Sequence, residues 1–110
     1  MKDLKQSTKQ RFGGMDFDYP ETEIETEIVQ HEGGIDKATA DKLVQIAQRS
    51  RNLKGHGLDE GMSTRLLVYA AQLLAKGIDA KSACQMALVT PLTDDPDMRD
   101  TLNAAVNTYF

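Results

Sequence analysis

The chain has 110 residues, 40% of them apolar but only 5% aromatic, with no tryptophan and a formal charge of −4. That leaves room for one domain with a Leu/Ala-based core, a composition that favours helices. The acidic balance argues against nucleic-acid binding, which normally needs a basic excess on one face, and so disfavours a helix-turn-helix DNA reader.

Residues 1–12 are polar and carry Lys2, Lys5, Lys9 and Arg11 against Asp3, whereas residues 16–32 hold seven acidic groups and no Lys or Arg. Such blocks read as solvated faces, or else as a contact between subunits or domains that uses both signs. Phe12 is followed by the break Gly13-Gly14, and Met15-Asp16-Phe17-Asp18-Tyr19 alternates as a half-buried strand does until Pro20 stops it. One five-residue strand makes no sheet alone, so it is expected either to be disordered or to belong to a sheet whose other strands lie outside these residues.

From Pro20 the pattern is helical. Pro20 suits a first helical position, Glu21 and Glu23 complement the helix dipole, and Ile24, Ile28 and His31 share a face before Gly33-Gly34. A second helix is expected from the cap Asp36, with Ala40, Leu43, Val44 and Ala47 as its inner stripe and Ile46 and Leu53 widening it. Arg49, Arg51 and Lys54 gather at its C-terminal end, where cations are favoured.

A glycine-rich loop over residues 55–61 precedes Ser63, which is expected to cap a helix over Thr64–Lys76 that stops at Gly77. That helix is apolar almost all round, broken only by Arg65, Gln72 and Lys76, and is expected to be the buried centre. Asp79 caps a fourth helix with Ala83, Cys84, Ala87 and Leu88 inward, ended or kinked at Pro91. Asp95 and Pro96 open a last helix with Met98, Leu102, Ala105, Val106 and Tyr109 on one face. The fold class is mainly α: a small bundle of about five helices preceded by a polar segment and one orphan strand.

The lone cysteine, Cys84, rules out an internal disulfide and fits a reducing, cytoplasmic setting. No apolar run backs the charged start, and the stretch Leu66–Ala71 is too short to cross a bilayer, so no membrane insertion is expected. The 110 residues contain no G-x-x-x-x-G-K-[ST] phosphate loop, so nucleotide hydrolysis cannot be completed by them alone. His31 and His56 are too far apart in sequence to suggest zinc, and Asp94, Asp95, Asp97 and Asp100 lack the glycine of a calcium loop, so no metal site is expected. Arg65 stands out as a cation in the first turn of a helix, against the dipole. From the residues alone both a structural role and an anion-binding role remain open.

The run Gly57–Ala71, GLDEGMSTRLLVYAA, resembles the G-x-[DE]-E-G-[VM]-S-T-R-L-L-[VI]-Y-A-A signature of CbbQ/NirQ/NorQ proteins, AAA+ ATPases of the MoxR kind. Ala87-Leu88-Val89-Thr90-Pro91-Leu92-Thr93-Asp94-Asp95-Pro96-Asp97 is similar to that family's ending. Ser7–Phe12 with Met15–Pro20 resembles the segment that closes its ATPase core, although Gly13-Gly14 stands where larger residues are usual. The resemblance implies that residues 1–19 end an AAA+ core and residues 20–110 form a helical lid. It implies ATP and Mg²⁺ as cofactors of the complete ATPase only, with no enzyme activity for this chain alone. Arg65 matches the sensor-2 arginine that touches nucleotide, and Arg11 matches an arginine finger acting in trans. The implied partners are the AAA+ core, neighbouring subunits of a homo-oligomeric ring, and a target such as Rubisco or nitric oxide reductase. The alternative is a free-standing helical interaction module without nucleotide chemistry.

Overall fold

A computed structural model describes residues 19–110. Among these residues there are five α-helices and no sheet: α1 (Thr22–Gly33), α2 (Lys37–Asn52), α3 (Thr64–Ala75), α4 (Ala80–Cys84) and α5 (Pro96–Tyr109). The polar lead-in and residues 15–18 of the expected strand lie outside the described residues, as does Arg11.

Local capping explains where the helices begin. Asp36, Ser63, Asp79 and Asp95 sit in extended backbone, and each side chain accepts the amide three residues on, from Thr39, Leu66, Ser82 and Met98. Only α1 starts without a side-chain cap; its boundary residue is Glu21, so Pro20 lies before the helix and not at its first position. Gly34 ends α1 in the left-handed region (φ 74°), with its amide and that of Ile35 both donating to the Gln30 carbonyl.

The helices bury different kinds of face. α2 turns Ala40, Leu43, Val44, Ile46 and Ala47 inward, as its periodicity predicts. α1 does not follow its apolar spacing: Ile24 is 48% exposed and His31 is exposed, while Glu25, Thr26, Val29 and Gly33 are buried. Thr64 meets Glu25 where α1 and α3 begin, and Gly33 meets Ala71 near their ends, so the two helices run side by side in one direction. A Cβ on Gly33 would fall 2.2 Å from that of Ala71, which is how close the two backbones come. Isoleucine has no place in that seam.

α3 is central but not enclosed. Leu67, Ala70, Ala71 and Leu73 are buried, yet Arg65, Tyr69, Gln72 and Lys76 form an exposed stripe, with Tyr69 46% exposed. Its covering elements are α1, α2 and the segment from Ala80 to Val89, which leave one side open. Beyond α4 the chain makes one wider π-type turn over Gln85–Val89, closed by the Thr90 amide on the Gln85 carbonyl at 3.0 Å. Pro91 has no N–H to continue the ladder, and the chain turns there. Ala83, Cys84, Ala87, Leu88 and Val89 are all buried along this continuous stretch, and α5 closes the bundle through Leu102, Ala105 and Val106.

Candidate functional site

Arg65 is the second residue of α3, and its side chain is exposed. Ser63 Oγ accepts the Leu66 amide at 3.3 Å, and the Leu67 amide returns to the Ser63 carbonyl at 3.3 Å. The amides of the first turn ahead of these have no intrahelical acceptor, so the helix start presents N–H groups and partial positive charge beside the guanidinium. Facing Arg65 into that field costs a few tenths to about 1 kcal/mol. The combination suits phosphate oxygens.

What holds this helix start is a buried polar cluster that sequence periodicity hides. Arg51, at the end of α2, reaches back to α1 and forms a two-pronged pair with Glu25: Nη1 donates to Oε1 at 2.7 Å and Nη2 to Oε2 at 2.6 Å. The Glu25 side chain is fully buried and that of Arg51 is 11% exposed. Arg51 Nε donates to the Met62 carbonyl at 3.0 Å, so all three guanidinium nitrogens are engaged. Thr64 Oγ1 donates to Glu25 Oε2 at 2.8 Å, which ties the first residue of α3 to the same carboxylate. Ser50 Oγ accepts the Met62 amide at 2.9 Å and donates to the Ala47 carbonyl at 2.6 Å. The Tyr19 ring lies over the guanidinium, 3.9 Å from its carbon to the ring centroid.

Gly61 belongs to the cluster for steric reasons. A Cβ there would stand 2.8 Å from the Arg51 Cα and 2.6 Å from its Cγ, so only glycine lets residues 61–64 lie flat on the last turn of α2. The second glycine of the Gly57–Ala71 signature, its threonine and its arginine thus occupy one structural unit: a contact, a tether and a presented side chain.

Two expectations change here. The acidic stretch is not wholly a solvated face, because Glu25 points inward to Arg51. Arg51 is not simply a cation at a helix end, because its charge is matched across the bundle by a residue 26 positions earlier. No helical stripe marks such a pair; the available signal was Thr22, Thr26, Val29 and Gly33, small or branched residues at close-packing intervals.

Cys84 is buried, and that burial pushes its thiol up to about 12, which suits packing and not nucleophilic chemistry. Among the described residues no group of three or more His, Cys, Asp or Glu side chains is placed to hold a metal ion, and no helix is long and apolar enough to cross a membrane. Asp95 caps α5, and the Thr93 hydroxyl accepts its amide at 3.1 Å.

The family model described as CbbQ/NirQ/NorQ C-terminal matches residues 25–109. The chain belongs to this family. The match covers the Glu25–Arg51 pair, Thr64 and Arg65. Among its relatives, the protein CbbQ of Hydrogenophilus thermoluteolus is 67% identical over all 110 residues. Protein NorQ of Paracoccus denitrificans is 48% identical over the same length, and the denitrification regulatory protein NirQ of Pseudomonas aeruginosa is 47% identical over 96 residues. The chain spans 41% of the length of that CbbQ, 41% of the NorQ and 37% of the NirQ.

Proposed function

We propose that residues 20–110 are the helical lid of an AAA+ ATPase of the CbbQ/NirQ/NorQ kind, with residues 1–19 as the end of its core. One observation carries this reading: the signature residues Gly61, Thr64 and Arg65 form a single braced helix start that presents an arginine to solvent. A brace of this kind serves a guanidinium that must meet a small anion in a fixed direction.

In the assembled ATPase, Arg65 meets the γ-phosphate from the lid, and Arg11 acts on the nucleotide of a neighbouring subunit in a homo-oligomeric ring. ATP and Mg²⁺ belong to that assembly; this chain supplies the anion-facing arginine and no phosphate loop, and by itself it hydrolyses nothing. The enzyme acted upon is a target such as Rubisco or nitric oxide reductase, as the family resemblance implies.

The free-standing interaction module is separated from this reading by the DNA upstream of Met1: an in-frame phosphate loop supports the lid, and an unrelated gene opposes it. The decisive measurement is ATP turnover in the full-length ATPase. Because Arg65 acts on charge that spreads in the transition state, Arg65→Ala lowers turnover by about 10²-fold or more with the melting temperature unchanged. Arg65→Lys recovers little, since a point charge does not reproduce the planar fork. Normal hydrolysis by folded Arg65→Ala would make Arg65 a surface residue and end the assignment.

A further inference from the structure

The Glu25–Arg51 pair needs a reason beyond stability. A buried ion pair contributes little that well-packed apolar side chains of the same volume would not. What it supplies is direction: a planar fork gripping a carboxylate through two parallel bonds fixes both partners in angle as well as distance. Here that fixed object lies between two features that the bundle's apolar core leaves alone. On one side is Tyr19, the first described residue, stacked on the guanidinium face and followed by Pro20. On the other is Thr64, hydrogen-bonded to the Glu25 carboxylate and directly preceding Arg65.

We propose that Tyr19, Arg51, Glu25 and Thr64 form a joint that transmits the direction of the chain entering the bundle to the start of α3, with Arg51 as the positioning residue for Arg65. The inference rests on the lid reading above and adds to it the route by which the orientation of lid and core bears on the nucleotide-facing arginine. The contacts are graded in strength along that route. The Arg51–Glu25 bonds are short, charge-assisted and buried, whereas the Tyr19 stack is a face contact on a partly buried ring. A change in entry angle therefore parts the stack before it breaks the pair. The guanidinium then loses the cover on one face while its three nitrogens stay engaged. The fourth contact, Gly61 against the Arg51 backbone, passes any tilt of Arg51 to the residues just ahead of Ser63.

The test is a set of double-mutant cycles in the full-length ATPase, with kcat, KM for ATP and melting temperature recorded for each variant. Tyr19→Ala removes the stack, and Thr64→Val removes one hydrogen bond at nearly constant volume. Each is made alone and together with Arg65→Ala. Each single variant is expected to lower kcat about tenfold, the scale of a small misplacement of a catalytic group, and Tyr19→Phe recovers what Tyr19→Ala loses. In the Arg65→Ala background neither substitution lowers kcat further, because the residue they act through is gone.

If Arg65→Ala is impaired but folded Tyr19→Ala and Thr64→Val turn over like the wild type, or their losses multiply with that of Arg65→Ala, the joint is packing alone. The lid reading would survive that result. If Arg65→Ala itself hydrolyses ATP normally, the lid reading falls and the joint falls with it. Should Thr64→Val fail to fold, the Tyr19 cycle decides.

Discussion

The two ends of α3 are held by different physics. At its start, α1, α2 and the loop before Ser63 meet through an ion pair, two hydroxyls and a glycine. Farther along, the same helix packs against the stretch from Ala83 to Val89, an interface of Ala, Cys, Leu and Val with no polar partner to match. An apolar interface rewards volume and tolerates small rotations, so it stabilises without specifying an angle. A bidentate pair does the reverse. The molecule places its directional contacts where the exposed arginine begins and its forgiving contacts where only a scaffold is required.

The largest effect should come from breaking the polar seam on one side. Glu25→Ala leaves the Arg51 charge in a site that is 11% exposed without its partner, and should cost about 3–5 kcal/mol, enough to unfold a bundle of this size. Replacing both residues, as Glu25→Leu with Arg51→Met, should restore much of the stability measured by urea unfolding. A double variant no more stable than Glu25→Ala would show that the pair stabilises the fold outright, and the contrast between the two regions would weaken.

On the apolar side, Leu67→Ala and Leu88→Ala each remove a fully buried side chain and should cost about 2–5 kcal/mol. Leu74 lies on the partly covered side of α3, so Leu74→Ala should cost clearly less. Equal losses at Leu67 and Leu74 in urea titrations would place the centre of the core elsewhere on α3.

The smallest effect is a dependence on acid that comes from two helix caps outside the polar seam. Asp36 opens α2 at the end opposite Arg51, away from the polar seam, and Asp79 opens α4 at the head of the apolar stretch. Hydrogen bonds from the Thr39 side chain and amide hold the Asp36 carboxyl below its ordinary 3.8, and the Ser82 amide does the same for Asp79. The folded state favours the charged form at both sites. Their contribution is therefore present above pH 3.8 and fades as pH falls below it. Asp36→Asn and Asp79→Asn should each flatten the fall in melting temperature on the acid side; unchanged acid limbs in both variants would show that other carboxylates dominate.

Much of the secondary structure could be read in advance, and the exceptions share a cause. The starts of α2, α3 and α5 follow from Asp36, Ser63, Asp95 and Pro96, and the inner stripe of α2 follows from its spacing. The face of α1 was misread because Ile24 and Ile28 are apolar and Glu25 is not. The all-round burial expected of α3 failed at Tyr69, because nothing in a helix's own sequence states how many neighbours surround it. The candidate site was half legible: Arg65 stood out as a residue against local preference, whereas the cluster beneath it did not.

Sequence alone determined whatever is settled within one turn of chain: where helices start, where glycine stops them, and which signature the Gly57–Ala71 run carries. A cap joins residues three apart, so the two partners are visible together in any short window. Tertiary structure decided which of seven acids would be buried, which arginine would turn inward and which glycine had to stay bare. Those choices join residues 26 and 39 positions apart, and they depend on α1 and α3 lying parallel at near-contact distance. Helical periodicity reports how one helix meets water; it carries no term for the residue on another helix that will cancel a charge.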